Sequence, residues 1–252
     1  MNKKIVFFLL FFFFGGMAHS AEVSKTPDFK EAAALYESGK FREAAVAYGS
    51  IADEKKGGVA VFYNLANAEL RSGNKGKARL CYERALRLDP RDPDVLWNLQ
   101  VLKNALTDRI EPPPDPLAVA SFLKSFSERY TLDEAAVAVS GFLAALAFLS
   151  LVAWKIPSVK VFSGVLRGLL LLFLGASLFL FGLKWMQVKD RAVIVLVKEV
   201  TARYGPTQKE TKAFVLHEGA RVRVLDETQD WFYVRLDDGN EGWLPKNTCE
   251  VV

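Results

Sequence analysis

Two long apolar stretches in the middle of the chain restrict its architecture more than any other feature. Residues 135–154 contain no Asp, Glu, Lys or Arg. Residues 162–185 contain Arg167 near the start and Lys184 at the far end. A helix rises about 1.5 Å per residue, so about 20 apolar residues cross the hydrocarbon core of a bilayer. The chain therefore divides into a soluble segment, a two-helix hairpin and a second soluble segment. A hairpin returns the chain to the side it left, so both soluble segments share one side. Lys155 and Lys160 lie in the connection and Arg167 just beyond it. The positive-inside bias makes that end cytoplasmic, although Lys184, Lys189 and Arg191 at the other end oppose it.

Composition narrows the function classes. Hydrophobic residues reach 51% of 252, but the excess sits in the two stretches and the N-terminus. The formal net charge of +4 is small, and no basic stripe interleaved with aromatics is present. Nucleic acid is therefore not an expected partner. The two cysteines, Cys81 and Cys249, fall in different soluble segments. That spacing suits neither a disulfide framework nor a metal cluster. At the N-terminus, Lys3 and Lys4 precede an apolar run over 5–17, and Ala18-His19-Ser20-Ala21 offers small residues at a cleavage point after Ser20. This is a signal-peptide layout for 1–20, with an uncleaved anchor as the other reading.

Shifted by 34 positions, the segment 25–109 matches itself. Gly39 falls on Gly73, Ala44 on Ala78 and Tyr48 on Tyr82, and a partial third copy places Asn64 on Asn98 and Leu65 on Leu99. Small alanines let paired helices approach, tyrosines fill the space beside them, and glycines end the first helix of each pair. Leu88-Asp89-Pro90 closes the second copy and Pro93 can open the next helix. Period and residue types resemble the tetratricopeptide repeat. The resemblance implies an all-α stack whose first helices line a peptide-binding groove. Tyr63, Asn64, Asn67, Arg71, Trp97 and Asn98 are its candidate protein-binding residues. The third copy stops after one helix and would serve as a cap.

The segment 110–130 begins with Glu111-Pro112-Pro113-Pro114-Asp115-Pro116, a stiff extended spacer. The part from 117 to 130 is amphipathic. Leu117, Phe122, Leu123 and Phe126 either lie at the membrane surface or lead into the first span, 133–155. The second span is 161–186. Gly164, Gly168 and Gly175 give it one face of small residues.

From 190 to 252 the period changes to two. Residues 192–197 form a β-branched run, residues 221–225 and 232–236 alternate, and Asp237-Asp238-Gly239-Asn240 is a hairpin turn signal. Ala202-Arg203-Tyr204-Gly205-Pro206, Leu216-His217-Glu218-Gly219, Trp231 and Gly242-Trp243-Leu244 resemble the bacterial SH3 domain, which implies a small closed β-barrel. Trp231, Tyr233 and Trp243 are its candidate ligand-binding aromatics. His217 has only Glu218 beside it and no Cys or Ser placed to complete a triad, so it is expected in a turn.

The expected architecture is thus a multi-domain membrane protein: an all-α repeat module, a transmembrane hairpin and an all-β SH3-like barrel. The order of the parts resembles the aerotolerance-operon E (BatE) family across nearly the whole chain. That resemblance implies a non-enzymatic role in a stress-related membrane complex. It also implies partners that are membrane proteins with von Willebrand A domains, beside a MoxR-type ATPase. A cell-wall reading stands against it, in which the barrel holds peptidoglycan and the repeats recruit an enzyme. No catalytic constellation, metal spacing or phosphate-binding loop is visible, and no cofactor is expected.

Overall fold

The computed structural model describes residues 27–52, 57–108, 118–156 and 160–252. The signal-peptide segment and the spacer at 111–116 lie outside the described residues. The repeat stack consists of α1 (Pro27–Glu37), α2 (Phe41–Ile51), α3 (Val59–Arg71), α4 (Lys75–Leu88) and α5 (Pro93–Asn104). Gly39 and Gly73 separate the pairs with φ of +78° and +91°, the left-handed conformation that a Cβ disfavours. Each supports a six-to-one closing bond, Lys40 N to Leu35 O and Asn74 N to Glu69 O, both 2.9 Å. Between the helices, Ala44, Ala78, Tyr48 and Tyr82 are buried, with Leu65 and Leu99 in the same core. Pro93 opens α5, and Asp92 Oδ1 accepts from the Asp94 and Val95 amides at 3.0 Å.

Helix α4 presents two faces. Ala78, Cys81, Tyr82 and Ala85 recur at helical spacing and join the core of the stack. Gly76, Arg79 and Glu83 lie on another stripe, which the C-terminal sheet covers. Among the described residues no second helix of the third repeat packs on α4, and the sheet occupies that side of α4.

A short helix, α6 (Ala118–Ser127), leads to α7 (Leu132–Lys155) and α8 (Lys160–Lys189). Thr131 and Glu134 form a reciprocal capping box that fixes where α7 begins. The helix stops at Ile156, the residue before Pro157, where proline disfavours the helical conformation. The rings of Phe142 and Phe173 stack across the hairpin, 6.0 Å apart and 8° from parallel. Both helices are apolar on all sides, and their large side chains, such as Phe148, Leu172 and Phe179, remain exposed. A soluble core helix would bury these groups. These two are long and apolar enough to cross a membrane.

The C-terminal strands are β1 (Ala192–Val195), β2 (Glu199–Arg203), β3 (Lys212–His217), β4 (Arg221–Glu227), β5 (Trp231–Arg235), β6 (Glu241–Pro245) and β7 (Cys249–Val251). They form one antiparallel sheet in the order β3-β2-β6-β5-β4-β1-β7. Val193, Val200, Leu216, Val222, Val234, Leu244 and Cys249 meet in a single core, so the sheet curls over itself. Bulges at Ala202/Arg203 and Val224/Asp226 supply the bend. The closed barrel expected from the sequence is not formed, because β3 and β7 share no ladder. The His217 amide, at the end of β3, donates instead to Asp108 of the repeat stack at 2.6 Å. His217 itself ends a strand rather than standing in a turn.

Candidate functional site

Tyr63, Asn67 and Arg71 follow one another at four-residue spacing on α3, so they share a face. Asn98 on α5 meets the first two. Its Nδ2 donates to Tyr63 Oη at 2.9 Å and lies 3.5 Å from Asn67 Oδ1. Tyr82 reaches the same Asn67 oxygen from α4 at 2.5 Å. Burial, then the neighbouring Tyr63, raises the Tyr82 pKa, so it acts as a neutral donor. With Asn67 Oδ1 engaged from two sides, its amide N–H groups and the Asn98 carbonyl remain for a peptide backbone. Trp97 precedes Asn98 on α5 and is 71% exposed. Arg71 takes no part in this network, because its guanidinium lies over the Phe41 ring, 5.0 Å from the centroid. Asn64 is half-buried, and its side chain makes no hydrogen bond with another described residue.

On the sheet, Tyr233 and Trp243 are register partners on β5 and β6, with ring centroids 5.0 Å apart. Both are half-exposed. Glu241 joins them: Tyr233 Oη donates to its Oε2 at 2.5 Å, and Arg235 Nε donates to its Oε1 at 2.6 Å. These bonds hold the Glu241 pKa low, Tyr233 contributing more than Arg235. The third candidate, Trp231, is buried, so it offers no open ring face.

The largest feature missed by the sequence reading is the junction of these modules. Gly76 N donates to Glu218 Oε1 at 2.9 Å, placing a carboxylate at the N-terminus of α4. Arg79 donates to Gly219 O at 2.7 Å and to Glu83 at 3.0 Å. Glu83 also accepts from Arg221 at 2.9 Å. Arg84 reaches Glu250 and the Val251 carbonyl at 2.7 and 2.8 Å. His217 Nδ1 pairs with Asp108 at 2.8 Å. Two glycines permit the approach. A Cβ on Gly76 would lie 2.5 Å from the Val195 carbonyl oxygen, and one on Gly219 would lie 2.6 Å from Leu106 Cδ2. Both cysteines are free and buried. Burial pushes the Cys81 thiol up to about 12 and the Cys249 thiol up to about 11.

At the far side of the sheet, Glu227 binds Arg191 at 2.6 Å and Lys246 at 2.8 Å. The Arg191 bond, then the Lys246 bond, lowers the Glu227 pKa to about 2. A depressed carboxylate pKa favours the folded form above the unfolded pKa, and that contribution is lost as pH falls through the folded value. The contact is therefore expected to persist through mild acid and dissolve only near pH 2. A carboxylate-detected NMR titration in which Glu227 protonates at an ordinary pH would contradict this.

Two family models match parts of the chain: the tetratricopeptide repeat over residues 59–92 and the bacterial SH3 domain over residues 198–248. The first covers α3 and α4 and the second runs from β2 to the turn before β7. No curated protein matches the chain. Among solved structures, an NlpC/P60 family protein from Bacillus cereus is similar at 20% identity with a TM-score of 0.22. That similarity covers 27% of this chain and 22% of the other.

Proposed function

We propose that this protein is a membrane-anchored scaffold that holds protein partners through its repeat groove and its SH3-like sheet. Trp97 carries the reading: a folded stack leaves its large ring exposed on α5, one residue before Asn98, which bonds to Tyr63 and Asn67. Exposed aromatic anchors next to polar backbone-binding groups are what a protein-binding face requires. Two helices fit to span a membrane anchor that face, and the sheet sits against α4 rather than in the groove. The charge pattern of the hairpin and the signal-peptide layout support both modules lying on the periplasmic side of the inner membrane. The resemblance in module order supports a stress-related, aerotolerance-type complex whose partners carry von Willebrand A domains.

A second reading has its own observation. The adjoining rings of Tyr233 and Trp243, with Glu241 beside them, suit a glycan-peptide strand of the cell wall. In that case the sheet binds peptidoglycan and the repeats recruit an envelope enzyme.

One experiment separates the two. A crosslinker that cannot cross the inner membrane is applied from the periplasmic side, followed by recovery of the protein. The scaffold reading expects membrane proteins with von Willebrand A domains, lost in Asn67→Ala/Asn98→Ala. Wall fragments lost in Trp243→Ala, with the groove variant unaffected, would replace it by the second. Absence of any crosslink from that side would refute the orientation.

A further inference from the structure

The repeat stack, the sheet, the Leu132 end of α7 and the Lys189 end of α8 border an open cleft of about 970 Å³. Three cations line it without an ion pair to any described residue: Arg87 on α4, Lys103 on α5 and Lys184 on α8. The nearby Glu83 is already engaged by Arg79 and Arg221. Lys184 donates to the Ser127 carbonyl at 3.2 Å, and its ammonium lies 5.9 Å from the centroid of the Tyr130 ring. Arg87 and Lys103 keep open surface, yet the crowding of protein around them lowers both pKa values. In each case burial is the main cause; the Arg221 guanidinium adds to it, and the Glu83 carboxylate opposes it, at Lys103 more strongly than Arg221 adds. Glu83 attracts Arg87 and Lys103, and Glu128 attracts Lys103 and Lys184, but none of these carboxylates closes on them as a salt bridge, which leaves room for an anionic group among the three cations.

The rest of the lining restricts which anion fits. Glu128, Asp133 and Asp237 are carboxylates of the same cleft without an ion pair to a described residue. They would repel a free phosphate but suit a group that also carries an ammonium. Leu88, Leu96 and Val188 add exposed apolar surface to the walls. Leu132 and Val188 stand at the ends of the helices fit to span a membrane, the level at which phospholipid headgroups lie.

We propose that this cleft binds the headgroup of a zwitterionic phospholipid. Its phosphate rests on Arg87, Lys103 and Lys184, and its ammonium faces Glu128 and Asp133. The site rests on the reading of α7 and α8 as membrane spans.

The test uses full-length protein in mixed micelles, with bound lipid counted by native mass spectrometry. Phosphatidylethanolamine is expected to remain bound, and Arg87→Gln/Lys103→Gln to weaken it by about tenfold or more, equivalent to roughly 1.4 kcal/mol. Both positions are exposed, and unchanged helical circular dichroism confirms that the variant folds. Equal retention by the variant overturns the site. Displacement by inorganic phosphate makes it a soluble-anion site and also overturns the proposal. Phosphatidylglycerol binding as well as phosphatidylethanolamine overturns the two-signed headgroup. Carbonate extraction checks the spans separately: release of the chain from membranes would overturn both readings.

Discussion

Gly76→Ala is expected to undock the sheet from the repeat stack while leaving the stack intact. The new methyl would stand 2.5 Å from the Val195 carbonyl oxygen and 3.1 Å from Leu196 Cα. Both are backbone atoms, which cannot swing aside as a side chain can. Overpacking of this kind costs about 1–3 kcal/mol. The same substitution favours the helix itself by about 0.5–1 kcal/mol, because alanine is the better helix former. The two effects act on different structures, so they separate in measurement. Hydrogen exchange should speed up at the Gly76 and His217 amides, which bond across the junction, while the amides inside α3 and α4 keep their protection. Unchanged exchange at Gly76 and His217 would show that the close approach is not obligatory.

Tyr82→Ala is expected to have the largest effect on stability. The side chain is fully buried between α3 and α4, and removal of a large buried aromatic costs about 3–5 kcal/mol. A domain of this size is stable by only about 5–15 kcal/mol, so the stack should melt many degrees lower or fail to fold. Tyr82→Phe retains the volume and loses only the bond to Asn67, at about 1 kcal/mol. It should fold normally yet bind partners less well, since Asn67 loses the hydroxyl that orients it. Thermal melts followed by circular dichroism read the first variant, and the crosslinking experiment reads the second. A Tyr82→Phe variant that melts as low as Tyr82→Ala would show that the hydroxyl, not the ring, holds the stack together.

The difference between what the sequence disclosed and what it concealed has a physical basis. Gly39, Gly73, Ala44, Ala78, Tyr48 and Tyr82 were legible because the stack repeats one packing problem, and each solution recurs at a fixed offset. The hairpin was legible because a bilayer demands unbroken apolar length. The strands at 192–195 and 231–235 were legible because their burial follows short-range patterning. The module junction had no such signal. Gly76 and Glu218 are 142 residues apart, and a glycine in the first turn of a helix announces nothing about what lies over it. Asp108 was equally silent, as a lone acid after a helix. Nor could composition separate Trp231, which is buried, from Trp243, which keeps an open face. Alternation assigns both to one side of the sheet, and only the surrounding chain decides which of them is covered.

A further ion pair ties the parts into a circuit: Arg91, between α4 and α5, binds Glu134 in the first turn of α7 at 2.5 Å. From there α7 lies along α8, α8 runs directly into β1, and β1 returns to α4. The four bodies make a closed kinematic loop rather than a string of beads. In an open string, tilting one helix of the hairpin against the other would swing a module freely. In a loop the displacement has to reappear at another joint. The joint with the least slack is the one where backbone meets backbone at Gly76. A displacement imposed on α7 or α8 is therefore expected to reach α4, whose opposite face carries Tyr82, the hydrogen-bond partner of Asn67.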